Sequence, residues 1–175
     1  MFFDWTTPLS TPVHAEAREV IAALRLAHLP GEGGFVRQTW RGEAGSAAYY
    51  LMTGTEFSAL HRLRAHEVWH FYAGDAVEHV TLHPQTGVAG VARLGANVAA
   101  GEQPQLAVPG GVWQGARLAR APVEAGPSTG LRAGWALVGC TLTPAWDEHD
   151  FELGGCEALL RQFPASAEWI RALTR

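Results

Sequence analysis

Three histidines and one glutamate fall within the eighteen residues FSALHRLRAHEVWHFYAG, Phe57 to Gly74. Such groups are costly to bury without partners, so their placement decides between a metal centre, a small-molecule site and the decoration of a strand. In an extended chain, residues two apart share a face. His61 and Leu63 then share one face of SALHRL, while Glu67, Trp69 and Phe71 share one face of EVWHFY and His70 and Tyr72 take the other. With Arg64-Ala65-His66 as the turn, His61 and Glu67 point into one interior and His66 sits in solvent. In VPGGVWQGARL, Pro109-Gly110-Gly111 leads tightly into a strand on which Val112, Gln114, Ala116 and Leu118 share a face, with Gln114 the polar side chain among apolar neighbours. Trp113 lies opposite and is expected outside. An imidazole, a carboxylate and an amide beside Leu63, Trp69 and Phe71 have the composition of a small-molecule pocket.

Two chemistries suit these residues. A carboxylate among Leu63, Trp69 and Phe71 is expected to hold its proton more tightly than usual. Glu67 then serves as general acid or base, with His61 as its partner and Gln114 as an orienting donor. The same three residues form a candidate metal set, since a catalytic centre needs about three protein ligands and an open position. His61 and Glu67 are good donors there and Gln114 is a weak neutral oxygen donor, so the ion would be held loosely. A hydrogen-bonded cluster with water satisfies the same groups without an ion. The cofactor expectation is therefore none, or a loosely held divalent metal. Between glycines, Glu32 lies in a loop that either makes a simple turn or folds across a barrel mouth and offers its carboxylate to a ligand, with Arg37 supplying the opposite charge.

The surrounding pattern supplies the elements. A helix is expected over 12–26: Thr11 can cap it, Pro12 suits the first turn, and Val13, Ala17, Val20, Ile21 and Leu24 share a face. From Phe35, short apolar or alternating runs separated by Gly, Pro and Asn indicate an all-β sandwich or barrel, about 35–153. The span Arg120 to Arg132 reads as a loop. Short helices follow at about 156–173, broken at Pro164. Glu78 shares parity with Val80 and Leu82, and is expected to end its strand in solvent. Asp147 to Glu152 reads as a solvated loop, and His14, His28, His79, His83 and His149 as surface residues. An outer face bearing Val68, His70 and Tyr72 is too apolar for comfortable exposure and calls for a covering sheet or a second subunit.

The 175 residues fit one domain. A net charge of −4 gives no basic field, which argues against nucleic acid as a partner. No apolar run reaches membrane-spanning length, and MFFDWTTPLS lacks the pattern of a signal peptide, so the expected compartment is the cytoplasm and the thiols of Cys140 and Cys156 are expected reduced. No nucleophile elbow, Cys-x-x-Cys pair or phosphate-cradling loop appears.

Gly54…His61-x-Leu63-x-x-x-Glu67…Gly74 resembles the first motif of the cupin superfamily, and Gly101…Pro109-x-Gly111-x-x-Gln114 resembles the second. The ordered set Glu32-Gly33-Gly34-Phe35, His61-Arg62, Glu67-x-Trp69-His70-Phe71-Tyr72-x-Gly74-Asp75, Trp113-Gln114-Gly115 and Asp150-Phe151-Glu152-Leu153 is similar to a small-cupin branch described as a domain of unknown function. The resemblance implies a double-sheet jelly roll and a homodimer. It also implies metal ligands at the motif histidines and glutamate, but Leu63 and Gln114 stand where two of the four ligands would be. Three functional readings stay open: a proton-transfer isomerase or epimerase acting on a sugar-like or polar metabolite, a metal-dependent oxygenase or lyase, and a non-catalytic metabolite-binding protein.

Overall fold

Alternating side chains build two facing antiparallel sheets in the computed structural model, which describes residues 14–120 and 133–175. One sheet has six strands in the order β1 (Ala27–His28), β2 (Phe35–Arg41), β3 (Ser46–Thr53), β10 (Trp135–Thr143), β5 (His66–Gly74) and β8 (Gln105–Val108). The other has five, in the order β11 (Phe151–Leu153), β4 (Ser58–Leu63), β9 (Trp113–Leu118), β6 (Val77–Leu82) and β7 (Ala89–Leu94). This is the expected jelly roll. Between the sheets, Tyr50, Met52, Trp69 and Val138 of the first meet Leu63, Val77 and Ala116 of the second.

Both sheets also have covered outer faces. Helix α1 (Ala15–Leu24) lays Ala17 and Ile21 on Phe35 and Leu51. It stops short of the expected end because Arg25 turns left-handed (φ 52°) and returns its N–H to Ile21 and Ala22, freeing Ala27 to start β1. The expected cap and first turn at Thr11, Pro12 and Val13 lie outside the described residues, as does 121–132 of the expected loop. Helices α2 (Cys156–Gln162) and α3 (Ala167–Ala172) flank a 3-10 turn that starts at Pro164, as the proline requires. They pack Leu159, Phe163 and Ile170 against Leu60, Val80, Leu82 and Trp113.

That second layer corrects two expectations. Glu78 shares parity with Val80 and Leu82, but the face they share is the outer one, under the C-terminal helices. Instead of ending in solvent, Glu78 accepts from Arg117 Nε at 2.9 Å, and Arg117 in turn lies 4.6 Å over the Trp169 ring. His79 is therefore interior, only 2 % exposed, rather than a surface residue. A strand buried on both faces is apolar at both parities, so the pattern does not tell inside from outside. Asp147 to Glu152 is likewise not a plain loop: its last two residues belong to β11, which pairs antiparallel with β4, Phe151 opposite Leu63. On the outer face of the six-stranded sheet, Val68 and His70 are half-buried and Tyr72 is exposed.

Candidate functional site

Strand register brings the polar residues together from both sheets. His61 on β4 and Gln114 on β9 are directly paired residues. Glu67 reaches them from β5 of the opposite sheet, and Gln114 Nε2 donates to Glu67 Oε2 at 2.6 Å. The Gln114 oxygen accepts from Trp69 Nε1 at 3.0 Å and lies 3.3 Å from His79 Nε2. His61 Nδ1 lies 2.8 Å from the carbonyl of Ala59, a bond in which only the ring nitrogen can donate, so Nε2 is the ring nitrogen left for another partner. All four polar residues are 5 % exposed or less.

Burial dominates the electrostatics. Desolvation raises the pKa of Glu67, and the carboxylate of Glu32 adds to it, while His61, Cys140 and Gln114 pull it back. Desolvation lowers His79 to about 4, so it is neutral at physiological pH. The Cys140 thiol is pushed up by burial and by Glu67, which keeps it a thiol rather than a nucleophilic thiolate.

Glu32 does reach this site. Its Oε1 accepts from Ser58 Oγ at 2.8 Å and lies 3.8 Å from His61 Nδ1, and its carbonyl accepts from the Ala59 N–H. The loop is closed on itself by Gly33 N–H to Leu29 O and by Leu29 N–H to Gly34 O. It is fastened by Tyr50 Oη donating to Gly33 O at 2.7 Å and by Gly34 N–H donating to the buried carboxylate of Glu56 at 3.2 Å. Gly33 has φ +93°, and a Cβ there would come within 2.5 Å of the Phe57 carbonyl oxygen. Gly33→Ala should therefore destabilise the fold by about 1–3 kcal/mol, the scale of one strained backbone position, as read from urea unfolding midpoints. An unchanged midpoint would mean that the loop does not hold this conformation in solution.

The apolar wall divides unevenly. Trp69 and Leu63 are buried beside the cluster, and Phe71 is half-buried against the same core. Arg37 is not brought to it. Val36 takes the inward position on β2, and Arg37 lies over the Tyr49 ring at 5.4 Å on the opposite face. Sequence reasoning missed three contributors: His79, whose parity with Val77 was the available signal, Ser58, and Phe151. The Phe151 ring stacks on His61, with centroids 5.3 Å apart and planes at 23°. Its other neighbours form an open groove of about 480 Å³ lined by Arg62, Leu63, Arg64, Gly111, Asp150 and Glu152, so Phe151 stands between this groove and the imidazole. Ion pairs Arg62–Glu152 (2.6 Å) and Arg64–Asp150 (3.6 Å) flank Phe151 and tie its segment to β4 and the residue after it.

The donor set does not fit a divalent metal. Leu63 offers no ligand atom, and the Gln114 oxygen is already turned to two N–H groups. Among the described residues, no three His, Cys, Asp or Glu side chains are grouped to hold an ion. Glu32 lies 3.8 Å from His61 Nδ1, the nitrogen committed to the Ala59 carbonyl, and does not complete such a group with His61 and Glu67.

A family model described as "Cupin superfamily (DUF985)" matches residues 18–154. A solved structure from Shewanella oneidensis is 34 % identical, covers 91 % of this chain and 97 % of its own, and superposes with a TM-score of 0.79. A hypothetical protein from Leishmania major is 27 % identical over 90 % of this chain and 98 % of its own, with a TM-score of 0.80. Oxalate decarboxylase from Bacillus subtilis, 12 % identical, shares the fold over 85 % of this chain and 37 % of its own, with a TM-score of 0.55. No curated protein matches the chain. No helix among the described residues is long and apolar enough to cross a membrane.

Proposed function

The chain belongs to the DUF985 family of the cupin superfamily, and from that premise we propose that it binds a small polar metabolite at the His61–Glu67–Glu32 cluster and moves a proton on it. One observation carries the proposal. A buried carboxylate with a raised pKa accepts from the Gln114 amide N–H, 2.6 Å away, with the Cys140 thiol and the His61 imidazole beside it. Gln114 holds Oε2, which orients the carboxylate for a substrate. The Glu67 carboxylate would take a proton from a carbon next to a carbonyl, the electron pair passing to the carbonyl oxygen. Return of the proton to the same carbon from the other face completes an epimerisation; return to the former carbonyl carbon, with the adjacent hydroxyl proton passing to the former carbonyl oxygen, completes an isomerisation, and neither changes the electron count. His61 Nε2 is the ring nitrogen placed to hydrogen-bond a substrate hydroxyl, and Glu32, through Ser58 and its proximity to His61, positions that ring. Sugar-like substrates suit this reaction class, a choice made by analogy of fold.

The test is ligand screening by thermal shift over neutral sugars, polyols and hydroxy-ketones, followed by incubation of each stabilising compound in D₂O. Deuterium appearing at a carbon-bound position with the wild-type chain, and not with Glu67→Gln, is the expected result. A stabilising ligand recovered unchanged and unlabelled would instead make the protein a non-catalytic binder.

The metal-dependent reading has its own test. Leu63→His places a third donor on the face shared by His61 and Leu63, and should raise the affinity for Ni²⁺ or Zn²⁺ in calorimetry over that of the wild type. No gain would mean that position 63 does not face His61 and Glu67.

A further inference from the structure

The Gln114 amide has three polar neighbours and one way to satisfy them. Trp69 Nε1 can only donate, and it lies 3.0 Å from Gln114 Oε1. His79 Nε2 lies 3.3 Å from the same oxygen. Glu67 Oε2 lies 2.6 Å from the amide nitrogen. Turning the amide over would set its NH₂ against the indole N–H and its oxygen against the carboxylate, so both sides would repel. The two donors also brace each other: the His79 and Trp69 rings meet edge to face, 4.9 Å apart at 72°. The register makes room for this arrangement. His79 on β6 pairs with Ala116 on β9, two residues beyond Gln114 on the same face, and the small alanine lets the imidazole lean toward the amide.

We propose that Trp69 and His79 form an amide lock, in which His79 is a positioning residue that fixes Gln114 as a donor to Glu67 and so withdraws the Gln114 oxygen from any ligand set for a divalent cation. The position that resembles a metal ligand in sequence is thereby turned into a hydrogen-bond donor for a carboxylate. Without that oxygen, no three His, Cys, Asp or Glu side chains among the described residues are grouped to hold an ion. The lock holds whether or not Glu67 moves a proton in a reaction.

The side-chain NH₂ of Gln114, assigned by triple-resonance NMR from its own backbone in the full chain, reads the lock directly. In the wild type it should give one pair of signals with slowly exchanging protons. Equimolar Zn²⁺ should leave its ¹⁵N shift and the carbonyl ¹³C shift where they were. His79→Leu should speed exchange of those protons by about tenfold, as expected for loss of one buried hydrogen bond. His79→Gln, which restores an N–H, should slow it again; a merely space-filling histidine would show no such rescue. Two results overturn the lock: a stoichiometric Zn²⁺ shift at the Gln114 carbonyl of the wild type, or unchanged exchange in a folded His79→Leu. Should His79→Leu fail to fold, the wild-type Zn²⁺ titration decides alone.

Discussion

Gln114→Leu is expected to lower the unfolding free energy by roughly 3–5 kcal/mol, since each buried polar group left without a partner costs about 1–3 kcal/mol. Leucine nearly conserves the volume, so packing contributes little. What it removes is the shared partner of Trp69 Nε1, His79 Nε2 and Glu67 Oε2, all in residues 5 % exposed or less. A loss of that size is a large share of a small domain's stability. Chemical denaturation followed by tryptophan fluorescence measures it. A loss below about 1 kcal/mol would mean that water replaces the amide without difficulty, and hence that the cluster is wet rather than sealed.

Glu67→Gln is expected to act in opposite directions on chemistry and on stability. Proton transfer to a bound substrate should fall by about 10²–10⁴-fold, the usual contribution of a general acid or base. Stability at neutral pH should hold or rise, because the variant keeps an acceptor for the Gln114 N–H and no longer buries a charge. The sign follows from the direction of the shift. Glu67 titrates above its ordinary value of 4.5 in the folded chain, so between 4.5 and that raised value the native state holds more protons than the unfolded one. The Glu67 contribution to stability is then complete below 4.5 and is lost as pH rises through the raised value. His79 works the other way. Lowered to about 4 from 6.5, it withdraws stability as pH falls through that window. The two overlap, so the quantity to compare is wild type minus Glu67→Gln in urea unfolding across pH, in which His79 cancels. A variant destabilised by more than about 1 kcal/mol at neutral pH, with the difference flat in pH, would show that Glu67 sits in the fold as a satisfied anion.

The convergence of His61, Glu67 and Gln114 was legible because period-two alternation and two turns, at Arg64-Ala65 and at Pro109 to Gly111, fix which way those side chains point. The glycines around Glu32 left its loop open between a simple turn and a reach into the barrel, and the contacts with Ser58 and His61 decide for the reach. Glu78 and His79 are both expected in solvent yet neither is, because β6 is buried on both faces and alternation carries no sign when both parities are apolar. Arg37 was placed by charge rather than by phase, and Val36 holds the inward position. The stacking of Phe151 on His61, and the capture of the Gln114 oxygen by Trp69 and His79, depend on how strands distant in the chain pair and on how one sheet sits against the other. No local pattern encodes that.

The most direct measurement is the titration of the Glu67 side-chain carboxyl carbon by ¹³C NMR in the wild-type chain, with Glu67→Gln identifying the signal. A sealed carboxylate poised for proton transfer should show a midpoint above 4.5. A midpoint at or below 4.5 would contradict it, leaving an ordinary ionised side chain where the proton-transfer site was placed.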